Sequence, residues 1–252
     1  MLDTNQKHYF HLCSGCYLTF FRGEGIALNL EKDQYILLDE SLSKNLQLIL
    51  KTPFNQPVDG LIDDEDRADL NDDITHLQES EILSQELFCS PDSAERIYFN
   101  EAYGIQNVDW RAPQPQKHLR VPFIMVIEAF WTLLVTYTRL NFAGFASVIR
   151  HLKTKAQKCK PGFSGPCDFE CLMAALHRAY FFFPKKIKCL EWSAALILMG
   201  LRRNRRCNLI IGVQKYPFLA HAWVEEEGTV IGDRPELSTQ LSIILAEPFR
   251  RK

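Results

Sequence analysis

The stretch AHAWVEEEGTVIGD, Ala220 to Asp233, decides how this chain is read. A histidine sits between two alanines in an apolar, strand-like run, with three glutamates, a glycine and a distant aspartate behind it. The alternation of small and large apolar residues predicts two strands joined by a hairpin. A three-residue loop at 226–228, with Gly228 in the left-handed region, is a common connection. It would set Glu225 opposite Thr229, Trp223 opposite Ile231 and His221 opposite Asp233. Directly opposed side chains lie about 5 Å apart at Cβ on one face. A carboxylate there accepts the ring N–H, fixes the tautomer and stabilises the imidazolium. The other reading of the same residue is a core histidine with a hydrogen-bond partner.

Working back from the hairpin, NLIIGV, FLAHAWVE and TVIGD read as three antiparallel strands, and LEWSAALILMGLRR as an apolar helix before them. Cys189 stands at the start of that helix, just after Lys185, Lys186 and Lys188. A helix N-terminus and nearby cations both favour a thiolate, and a histidine in reach favours it further. A helix-borne Cys, a strand-borne His and an Asp on the next strand is the layout of papain-like and transglutaminase-like folds. The competing reading is a buried cysteine and a satisfied histidine. In the catalytic reading, Cys189 is the nucleophile, His221 the base and Asp233 the orienter.

Further upstream, VPFIMVIEAFWTLLVTYT, Val121 to Thr138, is the most apolar run. It carries Glu128 and three threonines, and 18 residues fall short of the roughly 20 that a span requires, so a buried helix is expected. Ser164 to Cys167 is expected to open the next helix, with Pro166 in its first turn. The second domain is thus helices followed by an antiparallel sheet, an α+β arrangement over residues 121–252. A polar, proline-bearing stretch over 91–120 reads as a linker.

Residues 1–90 form a separate module. Tyr17–Phe21, Gly25–Leu30 and Gln34–Leu38 read as a meander. SLSKNLQLIL is a helix capped by Asp39 or Ser41, with Leu42, Leu46 and Ile49 inward, and DDITHLQESEIL is a second helix with Ile74 and Leu77 inward.

Composition limits the partners. Eleven acidic residues stand against one basic residue from Asp59 to Glu86, and fourteen Lys or Arg against three acidic residues from Arg139 to Arg206. These read as two solvated faces, with no nucleic-acid partner inferred. No positive end with an apolar core opens the chain, so its eight cysteines read as reduced thiols in a cytoplasmic protein. Cys13-Ser-Gly-Cys16 and the group Cys159, Cys167 and Cys171 fall in different predicted domains, and no metal site is expected. There is no Gly-rich phosphate loop, so no cofactor is expected from a motif.

The segments CLEWSAAL, LIIGV and PFLAHAWVE…GTVIGD together resemble the B proteins of lasso-peptide biosynthesis, the leader peptidases of microcin-type gene clusters. The resemblance implies a papain/transglutaminase-like cysteine peptidase domain that hydrolyses one bond of a precursor peptide and so removes its leader. It implies Cys189, His221 and Asp233 as catalytic residues, an asparagine-synthetase-like macrolactam cyclase as partner, and ATP dependence. ATP would belong to that partner or meet Arg202, Arg203, Arg205 and Arg206; the arginines also suit a helix C-terminus. The first module resembles a fused PqqD-like recognition element, a small winged-helix-like fold of three strands and three helices, from which the acidic stretch Asp59–Asp69 departs. Such an element takes the leader by strand addition. The edge Gln34, Tyr35, Ile36, Leu37 and Leu38 is the expected contact, with Ile74 and Leu77 on the facing helix. A leader-binding chaperone without catalysis, and an acyltransferase using the same three residues, are the alternatives.

Overall fold

The computed structural model describes residues 9–51, 66–86, 96–106, 119–160 and 168–249. The chain divides into two compact units, Met1–Glu101 and Ala102–Lys252. The helix start at Ser164–Cys167, residues 91–95 and 107–118 of the expected linker and most of the Asp59–Asp69 stretch lie outside the described residues.

In the first unit the predicted meander is present as β2 (Cys16–Phe21), β3 (Glu24–Asn29) and β4 (Gln34–Leu37), preceded by β1 (Tyr9–Leu12). Helix α1 (Glu40–Lys51) is capped by Asp39, whose carboxylate accepts the Leu42 N–H at 2.8 Å. That satisfies one of the orphan donors of its first turn. Helix α2 (Asp66–Glu79) is closed by Glu81, two residues beyond its end, whose φ of 55° lets the Ile82 N–H reach back to the Leu77 carbonyl at 2.9 Å. The helix expected through Leu83 therefore stops early, and β5 (Leu83–Glu86) pairs antiparallel with β1. A second sheet has the order β4-β3-β2-β6, in which β6 (Ile97–Tyr98) runs parallel to β2. Ile97 and Tyr98, read from sequence as linker, thus belong to this unit's sheet. The core gathers Leu18, Leu38, Leu46, Leu77 and Ile82. Two helices are found among the described residues, so the three-helix pattern is not seen there.

The second unit opens with α3 (Phe123–Ala156), broken at Gly144, where φ is 75° and ψ 174°. α4 (Phe169–Phe181) follows, with Asp168 accepting the Phe169 N–H at 2.7 Å, then α5 (Cys189–Leu201). The sheet has the order β10-β7-β8-β9, from β7 (Cys207–Gln214), β8 (Leu219–Glu226), β9 (Thr229–Ile231) and β10 (Ser242–Glu247), with the short α6 (Leu237–Gln240) between β9 and β10. β10 was not anticipated, although SIILA is a plain apolar run. α5 is apolar all round, and Trp192 through Leu201 are buried.

α3 corrects the expectation of a buried helix. Ala129, Thr132, Leu133 and Thr136 face inward, but Ile124, Ile127, Trp131, Val135 and Phe142 are exposed along the opposite side. It is long and apolar enough to cross a membrane by length and composition, and 22% of its most apolar window is buried.

Candidate active site

Three elements meet at the hairpin. Cys189 is the first residue of α5, where N–H groups have no acceptor within the helix. Glu191, itself buried, turns back and accepts the Lys188 N–H at 3.1 Å, which fixes the entry of the chain into the helix. The Ser193 hydroxyl donates to the Ala222 carbonyl at 3.1 Å, tying the first turn of α5 to the strand beside His221.

His221 is buried on β8, and its Nε2 lies 2.8 Å from Asp233 Oδ2. Cys189 acts on the same ring, and its influence is among the causes that raise the imidazole pKa. With Nε2 facing Asp233, Nδ1 is the nitrogen left for the sulfur. Burial pushes the imidazole pKa down, but the hydrogen bond to Asp233 and the influence of Cys189, with their charges, outweigh it and raise it to about 9. Below that pH the ring is a cation between a carboxylate and a sulfur, which is the state that suits a thiolate partner.

The three predicted residues are together, but not by the predicted hairpin. The turn has two residues, Glu227 and Gly228, with φ of 51° and 84°. Positive φ at both centres is what a type I′ turn requires. The register is Glu226↔Thr229, Glu225↔Val230 and Val224↔Ile231, so Asp233 continued along the strand would stand across from Ala222. A one-residue shift puts a side chain on the wrong face. The correction comes at Gly232: β9 stops at Ile231, and φ of 71° swings Asp233 back to His221. A Cβ on Gly232 would also lie 2.2 Å from the Met173 sulfur. Gly232 is therefore part of the site's geometry, and its only sequence signal was a glycine one place before the aspartate.

Trp223 lies beside His221 with ring centroids 6.0 Å apart, and its Nε1–H donates to Glu225 at 3.0 Å. Gly212, opposite His221 on β7, makes room for it: a Cβ there would lie 2.6 Å from the Trp223 ring and 2.7 Å from Leu241. The three glutamates differ in their surroundings, and Glu227 is exposed in the turn. Glu225 is buried, and Glu226 is bound by Arg205 at 2.8 and 2.5 Å. Arg202 and Arg203 close on Glu128 at 3.1 and 2.7 Å. Burial pushes the Glu128 carboxyl up, and the two guanidinium groups more than reverse it. Arg206 covers the Phe249 ring at 4.5 Å. The arginine run thus closes ion pairs and ring contacts within its own unit.

In the first unit β4 is a sheet edge, and Gln34 and Leu37 are exposed, with Tyr35 and Ile36 half-buried. Leu38 and Leu77 are in the core, which removes their side chains from a peptide's reach. Ile74 is half-buried on α2. Cys16 is buried and donates to the Glu81 carbonyl, and burial first, then Cys13, pushes its pKa up to about 11. No group of three His, Cys, Asp or Glu able to hold a metal occurs among the described residues.

Residues 132–246 match the model of the transglutaminase-like superfamily. A 59-residue segment is 44% identical to the microcin J25-processing protein McjB of Escherichia coli, covering 23% of this chain and 28% of that protein. The chain therefore spans under a third of the length of this relative in the matched part. No solved structure matches. With Cys189 at the start of α5, His221 on β8 and Asp233 just beyond β9, the second unit carries a domain similar to the transglutaminase-like superfamily, with partial similarity to a microcin J25-processing protein.

Proposed function

We propose that the chain is a cysteine peptidase that removes the leader from a lasso-peptide precursor. The observation that carries this is the Cys189–His221–Asp233 constellation, set at a helix start in a transglutaminase-like domain. The Cys189 sulfur attacks the scissile carbonyl, the developing oxyanion takes the free N–H of Cys189, and the tetrahedral intermediate collapses as His221 protonates the leaving amine. Water, deprotonated by His221, then releases the acyl group from the sulfur. Asp233 holds the ring in orientation and stabilises its cationic form throughout.

The first unit supplies recognition in this proposal. An exposed strand edge offers main-chain groups to an extended leader, and β4, with Gln34–Leu37 along it, is such an edge. An asparagine-synthetase-like cyclase acts beside the enzyme on the released core. Because Arg202, Arg203 and Arg205 are held by carboxylates, any ATP requirement is assigned to that cyclase. The test is intact-mass analysis of a matched precursor after incubation with the wild type and with Cys189→Ala. Free core together with a leader that ends in a free carboxyl supports hydrolysis; free core together with a leader joined to an added amine points to acyl transfer.

A further inference from the structure

The segment that opens the second unit is bound to the strands that carry the site. Gly212 stands opposite His221 and Gln214 opposite Leu219 in the β7–β8 register. Residues two apart on a strand share a face, so Gln214 projects from the same face as His221, about 7 Å along the strand. Its side chain is buried, and its amide is fully used. Oε1 accepts the Ile105 N–H at 2.7 Å, while Nε2 donates to the Ile105 carbonyl at 2.9 Å and to the Pro217 carbonyl at 3.2 Å. One side chain thus pairs with both backbone groups of Ile105, as a neighbouring strand would. On its other side, the Gly104 N–H donates to Gln240 at 2.8 Å and the Tyr103 N–H to Thr239 at 3.3 Å, in the stretch that follows Asp233. The strap 102–106 is thereby fixed between β7, the strand paired with the one that carries His221, and α6, the short helix that follows Asp233.

Three large rings are exposed around this strap: Tyr103 at 74%, Tyr216 at 67% and Phe218 at 44%. Tyr216 and Phe218 flank Pro217, whose carbonyl shares the Gln214 amide with Ile105, so the rings belong to one corner of the unit. Apolar surface left in water beside a reactive site marks a place where a ligand binds. Phe218 lies in the turn just before β8, three residues and at most about 10 Å of chain from His221, which is also the reach of about three residues of an extended peptide.

We propose that Tyr103, Tyr216 and Phe218 form a subsite for apolar side chains of an extended peptide substrate, within about three residues of the bond that Cys189 attacks. This rests on the peptidase reading of the triad. The Gln214 clamp is the positioning residue that keeps the strap in place.

The experiment labels full-length protein with acetyl-Phe-Leu-Gly chloromethyl ketone and with acetyl-Asp-Ser-Gly chloromethyl ketone, using iodoacetamide as a reference for thiol reactivity. In each case the cysteine sulfur displaces halide, and peptide mapping isolates the rate at Cys189. Expressed relative to iodoacetamide, the Phe-Leu probe should label Cys189 about tenfold faster than the Asp-Ser probe, and Tyr103→Ala/Phe218→Ala should remove about that factor. Both positions are exposed, so the variant should keep the wild-type melting curve. Equal rates for the two probes, or a preference that survives the double substitution, would overturn the subsite and leave the triad standing. Iodoacetamide labelling of Cys189 at an unchanged rate and pH profile in His221→Ala would remove the triad, and the subsite with it.

Discussion

His221 is the residue at which packing and charge oppose each other most directly. Burial acts to keep it neutral, and Asp233 and Cys189 act to keep it charged; the second effect wins and raises the pKa to about 9. Because the folded value lies above the unfolded value of about 6.5, the stability it contributes is fully present below pH 6.5 and is lost as pH rises through 9. The unfolding free energy of the wild type should therefore fall across that window, and the fall should be smaller in Asp233→Asn. Chemical denaturation at a series of pH values checks this, and parallel curves would contradict it. Gly232→Ala should lower leader release by about 10²-fold, since a displaced Asp233 no longer orients the ring. Steady-state kinetics reads that loss, with binding of precursor unchanged. Gly212→Ala should cost about 1–3 kcal/mol of stability, because its Cβ meets the Trp223 ring and Leu241, neither of which has room to move. The identity of the three site residues was legible in the chain, since Cys189 opens an apolar helix and His221 lies in an apolar strand. The path of Asp233 was not. It depends on a two-residue turn in place of three and on a left-handed glycine, and the two departures offset each other.

At the scale of elements, periodicity found α1, α5 and strands β2, β3, β4, β7, β8 and β9, because each has a clear apolar face or is buried throughout. It missed β1, β5 and β6, whose short runs gain their pairing only from distant partners. α3 shows the limit of composition. Its sequence is apolar on both sides, yet only the face with Ala129, Leu133 and Thr136 is covered. The two faces should respond differently to substitution. Leu133→Ala should destabilise the unit by about 2–5 kcal/mol, and Trp131→Ser should change it by about 0.5 kcal/mol or less. Urea unfolding of both variants makes the comparison.

At the scale of the whole molecule, the chain combines a unit whose sheet has β4 at its edge among the described residues and a unit with a Cys-His-Asp constellation. The change of pattern along the chain pointed to two units, but their boundary was not legible. Ile97 and Tyr98 pair within the first unit's sheet and Tyr103–Ile105 are clamped in the second, so the joint is sharper than a 30-residue linker. Residues 102–252 alone should keep the alkylation rate of Cys189 and lose affinity for the leader, which fluorescence anisotropy of a labelled leader measures. Leader release by Cys189 is read by intact-mass spectrometry of a matched precursor. The wild type should convert it to free leader and core, and Cys189→Ala should leave it intact and still bound; release of leader at the wild-type rate by that variant would show that Cys189 is not the nucleophile.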